Sequence, residues 1–123
     1  MKYLLVFGNP FLKEDNLAVN ISDELNLEGY KIIKCTSPEE ILFYSDKDFI
    51  ILDVAKNISK PVLITNPDQL RSFNIVSLHD FDLNFFLKLY KELGNEVKIL
   101  AIPQKYDKEK LKKEIYSHLT SKK

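Results

Sequence analysis

Asp15, Asp53 and His79 are the side chains of this chain whose types and placement would do chemistry. Two carboxylates and one imidazole offer two oxygen ligands and a nitrogen. Such a set suits a borderline divalent ion such as nickel, zinc or iron(II), and three protein ligands leave coordination positions open for a substrate. The same groups would equally support acid–base hydrolysis, with a carboxylate orienting the imidazole. Spacing alone does not choose between these. Each residue also has a plainer reading. An acid at a strand end is commonly a solvated loop acid or a helix cap, and a single histidine is more often hydrogen-bonded structure than a ligand. Glu14 reads as a charge favourable to a helix N-terminus, and Asp80 and Asp82 as caps of the helix that follows them. His118 lies near the end of the last helix, where the dipole favours it.

For these groups to meet, the elements around them must bring their loops to one rim. Tyr3 to Phe7 is a continuous apolar run, the signature of a strand covered on both faces. Gly8 to Asp15 is a loop with Asn9-Pro10 as its turn signal. Leu17, Ala18, Ile21 and Leu25 share a helical face, and Gly29 stands just past the expected helix end. Tyr30 to Lys34 reads as a second strand. Ser37-Pro38-Glu39-Glu40 combines a capping residue, a proline at the first helical position and a glutamate at the third, so a short helix begins there. Phe49 to Leu52 is a third apolar strand, with Asp53 expected at its carboxyl end. Pro61 to Ile64 reads as another strand, joined by so short a polar turn that a crossover helix is excluded; an antiparallel edge strand follows. A one-turn helix is expected after Asn66-Pro67-Asp68.

Further along, Ile75 to Ser77 is a short extended piece leading into His79. Leu83, Phe86, Leu87 and Tyr90 have helical spacing, closed by Gly94. Val97 to Ile102 is a buried strand ended by Pro103, and Asp107 caps a final helix with Leu111, Ile115 and Leu119 inward. No linker interrupts the chain, so residues 1–123 form one domain. The expected architecture is α/β: three layers, a mainly parallel sheet with one antiparallel edge strand, and helices on both faces. In such sheets ligands bind beyond the carboxyl ends of the strands. Glu14, Asp15, Asp53, Ser77 and His79 all fall on loops expected there.

Composition narrows the function classes. Lys+Arg and Asp+Glu each number 18, so the net charge is zero and nothing calls for nucleic acid or an anionic membrane as partner. Cys35 is the only cysteine. It forms no internal disulfide, builds no thiolate cage and reads as a small buried hydrophobe in a reducing compartment. The apolar N-terminal run is too short to cross a membrane and has no cleavage site behind it. A cytoplasmic monomer is expected.

Three stretches together resemble the hydrogenase maturation endopeptidases. Leu4-Leu5-Val6-Phe7-Gly8-Asn9-Pro10-Phe11-Leu12-Lys13-Glu14-Asp15 is similar to that family's opening strand, Gly-Asn-Pro turn and acid pair. Phe49-Ile50-Ile51-Leu52-Asp53-Val54-Ala55 resembles its apolar strand with a following Asp. Ser77-Leu78-His79-Asp80-Phe81-Asp82-Leu83 resembles its Ser-x-His segment, and Gly94, the strand Val97 to Ile102 and Pro103-Gln104 continue the likeness. The resemblance implies an endopeptidase that removes the C-terminal extension of a nickel–iron hydrogenase large-subunit precursor. Asp15, Asp53 and His79 would contact nickel carried by that precursor, so no tightly bound cofactor is implied. His79 and Asp53 would be catalytic, and Asn9, Glu14 and Ser77 would contact substrate.

The chain departs from the family in three places. Asn16-Leu17-Ala18-Val19 stands where glycines are usual, the acid pair is Glu-Asp, and the segment from Gly29 to Asp48 is compressed. Two other readings fit the same pattern. One is a response-regulator-like receiver domain phosphorylated at Asp53, although Gly8 to Lys13 separate its acid pair from strand one and Lys105 comes late after the last strand. The other is a peptidase-like protein that binds metal or an assembly partner without cleaving. A nucleotide-binding module fits less well, because Gly8 is the single glycine of the first loop and neither a dinucleotide fingerprint nor a Walker loop is present.

Overall fold

The computed structural model describes residues 2–8, 16–66, 68–69, 76–77, 91–92 and 97–120. Its centre is a sheet in the order β2-β1-β3-β6-β4. Here β1 is Lys2–Phe7, β2 Tyr30–Cys35, β3 Phe49–Lys56, β4 Val62–Ile64 and β6 Ile99–Ile102, while β5, Val76–Ser77, pairs with β3 off this path. β1, β2, β3 and β6 are parallel, with Tyr3 opposite both Lys31 and Phe49, and Asp53 opposite Ala101. β4 is antiparallel to β6 and forms one edge. The α/β fold with a mainly parallel sheet and an antiparallel edge strand is the one its hydrophobic pattern predicts.

Continuous apolar runs become central strands because both of their faces are buried. Leu4, Leu5, Val6 and Phe7 are all fully buried, and their side chains alternate between two separate cores. Leu4, Val6, Leu52, Val54, Leu100 and Ile102 face the helices α1 (Leu17–Ser22) and α2 (Lys108–Thr120). Leu5, Phe7, Ile51, Ala55, Ile99 and Ala101 face the other way, where Ile41 of a 3-10 helix, Pro38–Tyr44, packs on them. Among the described residues that 3-10 helix is what covers the second face.

α2 fulfils its sequence pattern. Leu111, Ile115 and Leu119 are buried on its inner side, each burial contributing roughly 1.5–3 kcal/mol. Asp107 Oδ2 accepts a hydrogen bond from Lys110 N at 2.9 Å, which closes one of the open donors of the first turn. At the far end Tyr30 Oη donates to the carbonyl of Leu119 at 3.0 Å, tying α2 to β2. The start of the 3-10 helix also follows expectation. Glu40 Oε2 reaches back to accept from Thr36 N at 2.6 Å and Ser37 N at 2.8 Å.

Two features differ from the sequence-based expectations. α1 stops at Ser22, although Leu25 and Leu27 are still buried. Ser22 Oγ donates to the Val19 carbonyl at 2.7 Å, and the next amides, Glu24 and Leu25, bond three residues back. Ser22 competes for the backbone in this way, so the helix gives way to turns. Gly29, with φ +84°, therefore serves the turn into β2 rather than a helix C-terminus.

The second difference is that β3 runs three residues past Asp53, to Lys56. β4 is the antiparallel edge strand that its short link predicts, and its partner is β6, which lies between it and β3. Residues 57–61 must span two strand spacings, about 9.6 Å, which five extended residues at about 3.3 Å each reach easily. Asn57 makes the bend in the left-handed region, with φ 66°, where asparagine is among the better-tolerated residues.

The expected helix of residues 83–94 lies largely outside the described residues, though Lys91 and Glu92 are helical and exposed. Among the described residues no helix is long and apolar enough to cross a membrane.

Candidate functional site

Of the two residues expected to be catalytic, Asp53 lies among the described residues and His79 does not. Asp53 is 2% exposed and is one of two buried polar or charged residues among those described, the other being Ser22. Its neighbours along β3, Leu52 and Val54, point into the core under α1 and α2. Asp53 therefore points to the opposite face, between Ile51 and Ala55 and beside Ala101 of β6. Two alanines next to a carboxylate keep that part of the sheet shallow. A buried carboxylate is costly to desolvate and is retained where specific partners hold it. Asp53 is therefore not the solvated strand-end acid of the plainer reading.

β5 comes to the same strand. Ser77 pairs with Ala55 and Val76 with Lys56, antiparallel to β3. The carboxyl end of β5 is thus directed back along β3, in the sense that leads from Ala55 to Asp53. Ser77 and Asp53, 24 positions apart in sequence, are brought to one short stretch of β3. Asn9, Glu14, Asp15 and His79 lie outside the described residues. Among the described residues no three His, Cys, Asp or Glu side chains converge, which leaves the set of Asp15, Asp53 and His79 untouched, since two of its members are not described.

A pocket of about 600 Å³ opens just beyond, where β3 and β6 end. Ala55, Ile58 and Pro103 line its apolar side. Among the described residues, Asn57, Ser59, Gln104 and Lys105 also line it. Ala55 follows Asp53 by two residues on the same face, about 6.6 Å along the strand. The pocket thus occupies the carboxyl rim of the sheet, where the loops of such folds bind ligands. The sequence pattern assigned none of these residues to a site, although Ala55, Pro103 and Gln104 lie in the stretches that carry the resemblance. The available signals were Asn57 at a strand exit and Pro103 closing β6, and neither reveals that segments 46 positions apart, at Asn57 and Pro103, form one wall.

Cys35 is inert in this setting. It is 2% exposed, and burial, with a smaller contribution from the Glu40 charge, pushes its thiol up to about 12. His118 is in the last turn of α2 and exposed, in keeping with a dipole role. One local device recurs unexpectedly. Gln69 Oε1 accepts from Thr65 N at 2.6 Å and Asn66 N at 3.2 Å, as Glu40 does from Thr36 and Ser37. The sequences Thr36-Ser37-Pro38-Glu39-Glu40 and Thr65-Asn66-Pro67-Asp68-Gln69 share this pattern, each following an edge strand of the sheet.

Comparison with known proteins finds no matching family model, no matching curated protein and no matching solved structure.

Proposed function

We propose that this chain is a cytoplasmic endopeptidase that removes the C-terminal extension of a nickel-loaded nickel–iron hydrogenase large-subunit precursor. The observation that supports it best is Asp53: a carboxylate buried in the central strand, one pleat below a pocket at the sheet's carboxyl rim. β5, which leads into the Ser77-x-His79 segment, is paired against the same part of β3. In this reading Asp53, with Asp15 and His79, contacts nickel already seated in the precursor. The metal belongs to the substrate and reports that the precursor is ready.

Hydrolysis adds one water across the scissile peptide bond, its oxygen to the carbonyl carbon and its hydrogen to the leaving amine. His79 and Asp53 are the residues proposed to manage that proton, and Asn9, Glu14 and Ser77 to contact the precursor. The test is the mass of a cognate nickel-loaded precursor before and after incubation with this protein. Loss of a short C-terminal peptide that depends on nickel is the expected result. An unchanged mass with a verified cognate precursor would refute cleavage and leave a non-cleaving binder. Magnesium-dependent labelling of Asp53 by acetyl phosphate would instead establish the receiver reading.

A further inference from the structure

The pocket at the ends of β3 and β6 has a two-sided character that hydrolysis at Asp53 does not explain. Ile58, Pro103 and Ala55 give it an apolar wall, and among the described residues Lys105 is the ionisable side chain lining it. Lys105 is exposed, as are Lys56 and Lys60, which bracket the lining segment 57–59. The ion pairs among the described residues involve Lys34, Lys108 and Lys112, and none of the three lysines at this rim. The segments that meet at this rim thus carry three exposed lysines in a chain whose net charge is zero.

The walls are set by backbone geometry. Asn57 turns the chain through φ 66°, and Pro103, with no N–H to donate, ends β6. At about 600 Å³ the pocket falls within the range of small-ligand sites, roughly 300–1,000 Å³.

We propose that this pocket binds the free α-carboxylate end of a peptide. Lys105 is its charge partner, and the wall of Ile58 and Pro103 takes an apolar terminal side chain. An ammonium attracts a carboxylate as a compact point charge, and the adjoining apolar wall gives preference to a peptide terminus over a bare anion. For its natural occupant the inference rests on the peptidase reading: the C-terminal extension of the precursor ends in such a carboxylate. Seating that end would position the scissile bond upstream of the pocket.

The test titrates isotope-labelled full-length protein, followed by amide resonances, with acetyl-alanyl-alanyl-leucine, its C-terminal amide and inorganic phosphate. Saturable shifts at Ala55, Asn57 and Gln104 are expected with the free acid, and binding at least fivefold weaker with the amide. Lys105→Gln should weaken the free acid about fivefold, the scale of one exposed ion pair, with the unfolding midpoint unchanged. Ile58→Ser should weaken the peptide but not phosphate.

The proposal is overturned if the peptide does not bind saturably, if the amide binds as tightly, or if Lys105→Gln leaves affinity unchanged. It is also overturned if phosphate binds as tightly as the peptide. Neither nickel nor cleavage enters this titration. A failed precursor assay would therefore remove the peptidase while leaving the carboxylate pocket standing, and a failed titration would do the reverse.

Discussion

Asp53→Asn removes one negative charge and converts one oxygen to an amide nitrogen while conserving shape. Because the residue is 2% exposed and flanked by the fully buried Leu52 and Val54, a shape-conserving change opens no cavity. Two effects oppose each other. Loss of the charge's favourable interactions costs on the order of 1.5–3 kcal/mol, whereas relief of a buried charge recovers a few kcal/mol of desolvation. The net change in stability should fall within about 2 kcal/mol, or roughly 8 °C in the unfolding midpoint at about 4 °C per kcal/mol.

Processing responds differently. If Asp53 contacts the precursor's nickel and manages the proton, Asp53→Asn leaves the metal a neutral amide oxygen in place of a carboxylate and leaves the proton no acceptor there. Loss of groups that merely support a ligand costs about 10–100-fold, so losing a ligand's charge together with the proton acceptor should cost ~100-fold or more. The assay pairs a precursor-mass time course with a thermal unfolding curve of the same variant. A folded Asp53→Asn protein that processes within about threefold of the wild type would refute the assignment of Asp53 to the site.

Three further expectations follow from the same observations. His79→Ala should abolish precursor processing and Asp15→Asn should reduce it less completely, one oxygen being retained; equal activity of both variants with the wild type, by the same mass assay, would contradict the three-ligand set. Glu40 is held below its ordinary value of 4.5, chiefly by the Thr36 and Ser37 amides, so its stabilising effect is present above that pH and lost as pH falls through the lower folded value. Glu40→Gln should accordingly lower stability by only about 0.5 kcal/mol at pH 7, since the group is solvent-screened, and by less in acid, as urea unfolding at pH 7 and pH 3 would show. Cys35, buried and with its thiol near 12, should resist a thiol reagent at pH 8 in the native state and react only on unfolding, so rapid native labelling would contradict its burial.

The parts of this fold legible in the sequence are those governed by local rules. A strand covered on both faces must be apolar at every position, so Tyr3 to Phe7 and Phe49 to Leu52 announce themselves, and the positions of Leu111, Ile115 and Leu119 mark the inner face of a helix. Capping is also local: Asp107 and the Ser37-Pro38-Glu39-Glu40 sequence satisfy donors a few residues away. Asp53 was legible as a candidate because a carboxylate directly follows an apolar strand.

Tertiary structure decided what depends on distant backbone. Strand pairing is made by N–H and C=O groups common to all residues but proline, so nothing in Val62 to Ile64 says that β6 rather than β3 is its neighbour. Asp53 became an interior residue of β3 because β6 and β5 extend the pairing past it, at Val54 and Ala55. α1 ended early because Ser22 bonds its own helix backbone, a competition whose winner depends on how Leu25 and Leu27 find the core. The pocket exists only once the exits of β3 and β6 lie side by side. The sequence by itself determined which segments are buried and which residues carry chemistry; only the packed sheet decided which of them meet, because adjacency between segments is a property of long-range pairing and not of local pattern.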